Sequence, residues 1–157
     1  MESYRRYGPA LLRKARRLLR NEEDARDALQ GLFVDFLARG EEPRELPYLY
    51  RAITHRCLNL LRDDRNRARL LERESPVLAG AAQLAPDTVS LGLDALLKLQ
   101  RCVDETVMET VVYRFVDEMG LEEIAEVMQV SRKTVQNRLA RAQQELALLL
   151  GNTGGQT

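Results

Sequence analysis

The residues from Leu121 to Ala142, LEEIAEVMQVSRKTVQNRLARA, constrain this chain most, because their spacing admits very few local structures. Leu121, Ile124, Ala125 and Met128 recur at i, i+3, i+4 and i+7, the pattern of one buried helix face. Gln129 and Val130 interrupt it, and Ser131 stands where a hydroxyl can cap the free N–H groups of a following helix. Val135, Leu139, Ala142 and Leu146 then form a second apolar face. With a 3.6-residue period the opposite face carries Lys133, Asn137, Ala140, Arg141 and Gln144. Arg132 and Gln136 flank it on one side, Thr134 and Arg138 on the other.

Two helices joined by so tight a turn resemble a helix-turn-helix, whose second helix enters the major groove of DNA. Lys and Arg contact phosphates or guanine, and Asn and Gln form paired hydrogen bonds to adenine. Arg132, Lys133, Thr134, Gln136, Asn137, Arg138 and Arg141 are therefore the candidate duplex-binding residues. A helical hairpin with a solvated basic face has the same periodicity, so charge must decide. Over 157 residues, 24 Lys/Arg and 24 Asp/Glu cancel, which taken alone argues against nucleic acid. The distribution argues for it. Residues 1–74 hold 17 Lys/Arg against 13 Asp/Glu, and residues 93–130 hold 3 against 9. Residues 131–142 hold four Lys/Arg and no acid. Phosphate responds to that local field and not to the sum over the chain.

The rest of the chain is helical in pattern, with no alternating strand, so an all-α fold is expected. Pro9 suits a first helical turn, and Leu11, Leu12, Ala15, Leu18 and Leu19 supply an apolar face. Arg13, Lys14, Arg16, Arg17 and Arg20 between them read as a solvated basic face. Asn21 can cap the next helix, whose stripe is Ala25, Ala28, Leu29, Leu32, Phe33, Phe36 and Leu37, with Gly40 ending it. After a loop broken by Pro43 and Pro47, Leu49, Ile53, Cys57 and Leu60 mark a long helix. Its far side presents Tyr48, Arg51, His55, Asn59 and Arg62, a set able to stack on bases and pair with phosphates. A plain solvated face explains the same residues.

Residues 75–92 hold Pro76, Gly80, Pro86 and Gly92 and one charge, the composition of an inter-domain linker that extends to about 60 Å. Helices resume at about Leu93–Val103 and Asp104–Met119, the latter burying Val107, Val111, Val112, Phe115 and Val116. With the helix-turn-helix they make a four-helix C-terminal domain. The expected organisation is thus residues 1–74, a linker 75–92, residues 93–150 and a disordered tail 151–157. Cys57 and Cys102 are isolated, too few for a structural zinc site, and fit a reducing cytoplasm. No stretch reads as a membrane span or signal peptide. One His, no Gly-rich phosphate loop and no clustered acid–base pair leave little to build an enzyme from, and no cofactor is expected.

The two halves together resemble an extracytoplasmic-function sigma factor, the type that keeps only regions 2 and 4. Glu22–Gly40 is similar to region 2.2, whose acidic-Ala-x-Asp-x-x-Gln-x-x-Phe pattern falls on Asp24, Ala25, Asp27, Gln30 and Phe33. Tyr48–Arg67 is similar to regions 2.3 and 2.4, and Val111–Leu146 to region 4. The resemblance implies binding to core RNA polymerase through the β′ clamp and the β flap, with Asp24, Asp27 and Gln30 at the clamp. It implies capture of the −10 non-template strand by the loop Gly40–Leu46 and the Tyr48, Arg51, His55, Asn59 and Arg62 face. It gives −35 duplex recognition to the helix after Ser131, and an anti-sigma protein as a further partner. His55 and Asn59 stand where the family often has Asn and Asp. Gln129 stands where a helix-turn-helix usually has Gly, at a cost of up to about 1 kcal/mol if its φ is positive. Two rival readings stay open on the sequence. One is a helix-turn-helix regulator that never replaces a sigma subunit, which has no need of a clamp-binding helix. The other is a decoy for an anti-sigma factor, which has no need of a basic recognition face.

Overall fold

The structure, a computed structural model, describes residues 2–43, 45–74 and 88–154. Among these residues there are seven α-helices and no strand: α1 Glu2–Leu19, α2 Glu22–Ala38, α3 Leu46–Glu74, α4 Thr88–Gln100, α5 Glu105–Val111, α6 Leu121–Met128 and α7 Arg132–Gly154. A π-helical stretch, Val112–Val116, continues α5. The caps are those the side chains dictate. Asn21 Oδ1 accepts from the Asp24 N–H at 3.0 Å, Asp104 Oδ1 from the Val107 N–H at 2.9 Å, and Ser131 Oγ from the Thr134 N–H at 3.1 Å.

Three boundaries depart from expectation. Helix α1 begins at Glu2, so Pro9 lies inside it and not in its first turn. A proline there removes one backbone donor. Packing offsets that loss: the Tyr4 ring meets Phe33 edge-on at 5.0 Å, and Ser3 Oγ donates to the Pro43 carbonyl at 2.5 Å. Helix α4 begins at Thr88, within the stretch whose glycine and prolines read as linker, because Ala95, Leu96 and Leu99 give it a packed face despite Gly92. Helix α7 runs to Gly154, carried past Gly151 by the leucine-rich run before it. Residues 75–87 and 155–157, the remainder of the expected linker and tail, lie outside the described residues.

Leu11, Ala15 and Leu18 of α1 pack with Ala28, Leu29, Leu32 and Phe36 of α2 and Leu49, Ile53 and Cys57 of α3. That cluster continues without a break into Leu99, Val107, Met108, Val111, Val112 and Ala142 of the C-terminal half. A smaller cluster, Tyr113, Ile124, Met128 and Val135, holds the helix-turn-helix together. Two apolar residues expected inside are outside: Leu37 is 63% exposed and Phe115 61%. Leu37 sits at the end of α2, beyond the reach of α1 and α3. Phe115 lies in the π-helical stretch, whose wider turn shifts the buried face to Val112 and Tyr113. Gly31 has a local reason. The Arg56 guanidinium, ion-paired with Asp35 at 2.6 Å, lies where a Cβ on residue 31 would stand.

Candidate nucleic-acid interface

The turn between α6 and α7 is built as the sequence requires, at some cost. Gln129 adopts φ 56° and ψ 47°, the left-handed region expected for glycine, and the Val130 N–H reaches the Ala125 carbonyl at 3.0 Å to close the helix end. Ile124, Met128 and Val135 are buried beneath the turn, which fixes the angle between the helices. On α7, Arg132, Lys133, Gln136, Asn137 and Arg141 are exposed, and Thr134 and Arg138 are half-buried. Arg132 pairs with Glu122 at 3.3 Å and Arg141 with Glu145 at 3.1 Å, both on the surface, where such pairs contribute little and exchange readily for phosphate. The Thr134 hydroxyl bonds Ser131 at 2.9 Å, and Arg138 Nη1 approaches the Met128 sulfur at 3.7 Å. Those two face the turn; the other five face outward.

The α3 face is assembled differently. Tyr48 is exposed at one end, its ring 6.0 Å from Phe36, and Asn59 and Arg62 are exposed at the other. Between them, Arg51 and His55 are half-buried and paired with acids of the C-terminal half. Arg51 Nε donates to Glu109 Oε1 at 2.7 Å, and His55 Nε2 lies 2.9 Å from Glu109 Oε2. His55 Nδ1 lies 2.5 Å from Glu105 Oε1. Carboxylates at both ring nitrogens call for two N–H donors, the imidazolium form. The Glu109 hydrogen bond, against the pull of burial, accordingly raises the His55 pKa above its ordinary value of 6.5. Burial alone raises the Glu109 carboxyl, but hydrogen bonds from His55, Arg51 and Tyr113 outweigh it and hold it below its ordinary range. Tyr113 donates its hydroxyl to Glu109 at 2.8 Å.

A second group lies beside this one. Lys14, read as solvated, is fully buried (0% exposed) and pairs with Asp117. Its ammonium sits 5.1 Å from the Tyr50 ring centroid and 4.9 Å from that of Tyr113. Burial lowers its pKa and Asp117 opposes that shift. Arg17 donates to Asp117 Oδ1 at 2.9 Å and to the Tyr50 hydroxyl at 2.9 Å. Burial pushes the Tyr50 phenol up to about 12. The spacing Leu11, Lys14, Ala15, Leu18 places Lys14 on the apolar stripe, a signal that could have found it.

On α2, Asp24, Asp27 and Gln30 are exposed, and Phe33 is buried. Val34 and Leu37, both exposed, extend the Asp27–Gln30 side at helical spacing, so that face is partly apolar. Among the described residues, no group of three or more His, Cys, Asp or Glu side chains could hold a metal ion, and no helix is long and apolar enough to cross a membrane.

Comparison with known families accounts for both halves. The Sigma-70 region 2 family matches residues 3–67, and the Sigma-70, region 4 family matches residues 93–146. Together they take in most of the chain. The chain belongs to the Sigma-70 family of sigma factors. Similar solved structures include CnrH in complex with the cytosolic domain of CnrY, with 24% identity over 96% of this chain and 86% of that one and a TM-score of 0.49. Another is the sigma factor RpoE in complex with the anti-sigma factor NepR from Bartonella quintana, with 18% identity over 96% and 95% and a TM-score of 0.47. No curated protein sequence matches this chain significantly. In this sigma factor the region 2 match spans α1–α3 and the region 4 match runs from α4 into α7.

Proposed function

We propose that this sigma factor binds core RNA polymerase in the cytoplasm and directs promoter-specific initiation without itself catalysing a reaction. The observation that carries the reading is the pairing of a region 2 helix set with an outward basic helix α7 in one chain. Asp24, Asp27 and Gln30, joined by the exposed Val34 and Leu37, are assigned to the β′ clamp. Tyr48, Arg51, His55, Asn59 and Arg62 are assigned to the −10 non-template strand, and Arg132, Lys133, Thr134, Gln136, Asn137, Arg138 and Arg141 to the −35 duplex. The exposed positions of α7 support duplex contact directly. Arg138 and Thr134 support it by positioning, since they face the turn. Binding the unpaired form of a strand shifts the duplex equilibrium towards opening, which is all the chemistry initiation asks of the factor. The family further implies contact with the β flap and restraint by an anti-sigma protein.

The test is transcription with reconstituted core polymerase on a mixed promoter library. Promoter-dependent transcripts that require the chain are expected; no stable complex with core overturns the reading. Within it, Lys133→Ala and Arg141→Ala should each weaken upstream duplex binding by about 1–3 kcal/mol while leaving core affinity in place. Wild-type DNA binding by both variants would show that the face is misassigned.

A further inference from the structure

Where α1 meets α4, α5 and α7, the seam between the two halves is incompletely filled. A cleft of about 630 Å³ opens there, lined by the buried Leu18, Leu99, Val111 and Ala142 and by Phe115, whose ring is largely exposed. Protein interiors are close-packed, and a void of this volume is the size of a small-molecule site. Its charged lining is of one sign: Arg16, Arg17 and Arg20 border the cleft, and no Asp or Glu does. Nearby acids are too few to neutralise them. Glu22 is shared by Arg16 and Arg26, and Asp117 by Arg17 and Lys14. Arg20, exposed just past the end of α1, makes no ion pair among the described residues. Five cations against two carboxylates leave an excess of three positive charges beside an apolar cavity.

We infer that this cleft is a binding site for a long-chain carboxylate, its alkyl chain against Leu18, Leu99 and Phe115 and its head at Arg16 and Arg20. An apolar chain in the cleft takes the exposed Phe115 ring out of water, which is the favourable direction. A guanidinium fork holds both oxygens of a carboxylate, the geometry that an arginine rim offers. The Arg16–Glu22 pair lies at the surface, where such pairs contribute little, so Arg16 can exchange one carboxylate for another. A cationic head would add to the positive excess instead of meeting it. A bilayer surface cannot reach the buried Leu99 and Ala142, whereas a single chain can enter between the helices. The cleft shares no residue with the α3 and α7 faces assigned to DNA, so the site does not depend on promoter recognition.

Isothermal titration calorimetry of the full chain with sodium dodecanoate, kept below its micelle-forming concentration, should show saturable binding of one ligand per chain. Decanoate, shorter by two methylenes, should bind about 15-fold more weakly. Dodecyltrimethylammonium, with the same chain and the head charge reversed, should bind weaker by about tenfold or more. The double variant Arg16→Ala/Arg20→Ala should weaken dodecanoate by about tenfold. Ala95→Trp, which fills the cleft from α4, should abolish binding. If circular dichroism shows that Ala95→Trp has lost helicity, Gly92→Phe carries the test, because a Cβ at this cleft-lining glycine meets no atom within 4 Å. At a hundredfold excess over Kd, dodecanoate should raise the melting temperature by about 5–10 °C. Equal affinity for the two head groups, undiminished binding in the filled variant, or no dodecanoate binding overturns the inference. In that last case, cosedimentation with phosphatidylglycerol vesicles would make the arginines a membrane surface. Binding of an acidic amphipathic peptide would make the cleft a protein dock.

Discussion

Lys14→Met tests how far the buried charge pair holds the two halves together. The substitution keeps most of the side-chain volume and deletes the charge. Asp117 retains Arg17, whose Nε and Nη2 lie 3.0 and 2.9 Å from Oδ1, but Oδ2, which faces Lys14, is left without its ammonium. Breaking a buried pair from one side costs about 3–5 kcal/mol, and the surviving Arg17 bond moves the expectation to the bottom of that range, about 3 kcal/mol. The lost contacts with the Tyr50 and Tyr113 rings, at 5.1 and 4.9 Å, are largely replaced by thioether–aromatic contacts. For a chain of this size, about 2–4 °C per kcal/mol gives a fall of about 6–12 °C in melting temperature. Urea unfolding at pH 7, followed by far-UV circular dichroism, measures the free energy directly. The double variant Lys14→Met/Asp117→Asn removes the stranded carboxylate and should recover about 1–2 kcal/mol of the loss. A Lys14→Met protein within about 0.5 kcal/mol of wild type would falsify the argument. So would a double variant no more stable than the single one.

Three further outcomes follow from geometry already given. Gln129→Gly should stabilise the protein by about 0.5–1 kcal/mol, because glycine takes the left-handed conformation without the steric cost and gives part of that back as unfolded-state freedom. A destabilised variant in urea unfolding would mean that the Gln129 side chain contributes contacts of its own. Ser131→Ala should cost about 1 kcal/mol by leaving the Thr134 N–H uncapped, read in the same assay. The His55 contacts with Glu105 and Glu109 should depend on pH with a definite sign. His55 is faced by Glu105 and Glu109 of α5, with Arg51 beside it on α3, and its pKa is raised. Its contribution is therefore complete below 6.5 and lost as pH rises through the raised value. Glu109 is lowered, so its contribution is present above 4.5 and lost on acidification. These contacts should be firmest between those values and weaken on the alkaline side. Unfolding free energy followed from pH 6 to 9 should fall in wild type and stay flatter in His55→Gln; identical profiles would remove His55 from the account.

The local features were open to sequence reading because each is dictated by neighbours in the chain. Asn21 and Ser131 cap the helices that follow them, Ile124, Met128 and Val135 are buried at their helical spacing, and Gln129 has the positive φ that its place in the turn demands. What escaped depends on which face meets which distant element. Lys14 lies among arginines that are solvated, and only the approach of Asp117, far along the chain, makes it a core residue. The charge count over residues 93–130 shows an acidic excess and not its partners: three of those acids, Glu105, Glu109 and Asp117, serve the N-terminal half. Leu37 and Phe115 carry the right chemistry for burial and lack a neighbour to bury them. Periodicity defines a face; it does not supply the surface opposite.

The π-helical stretch Val112–Val116 gives the seam an unusual genetic sensitivity. In this stretch the Asp117 N–H reaches back to the Val112 carbonyl, five positions earlier, where an α-helix reaches four. The wider turn is equivalent to one inserted residue. Deleting one residue here would restore an ordinary α-helical turn and leave Asp117 on its bearing towards Lys14. A one-residue insertion in α5 with the wide turn kept would instead turn Asp117 by about 100° away from Lys14 and uncouple the two halves in one evolutionary step. Substitutions, by contrast, would have to rebuild several buried contacts to do the same.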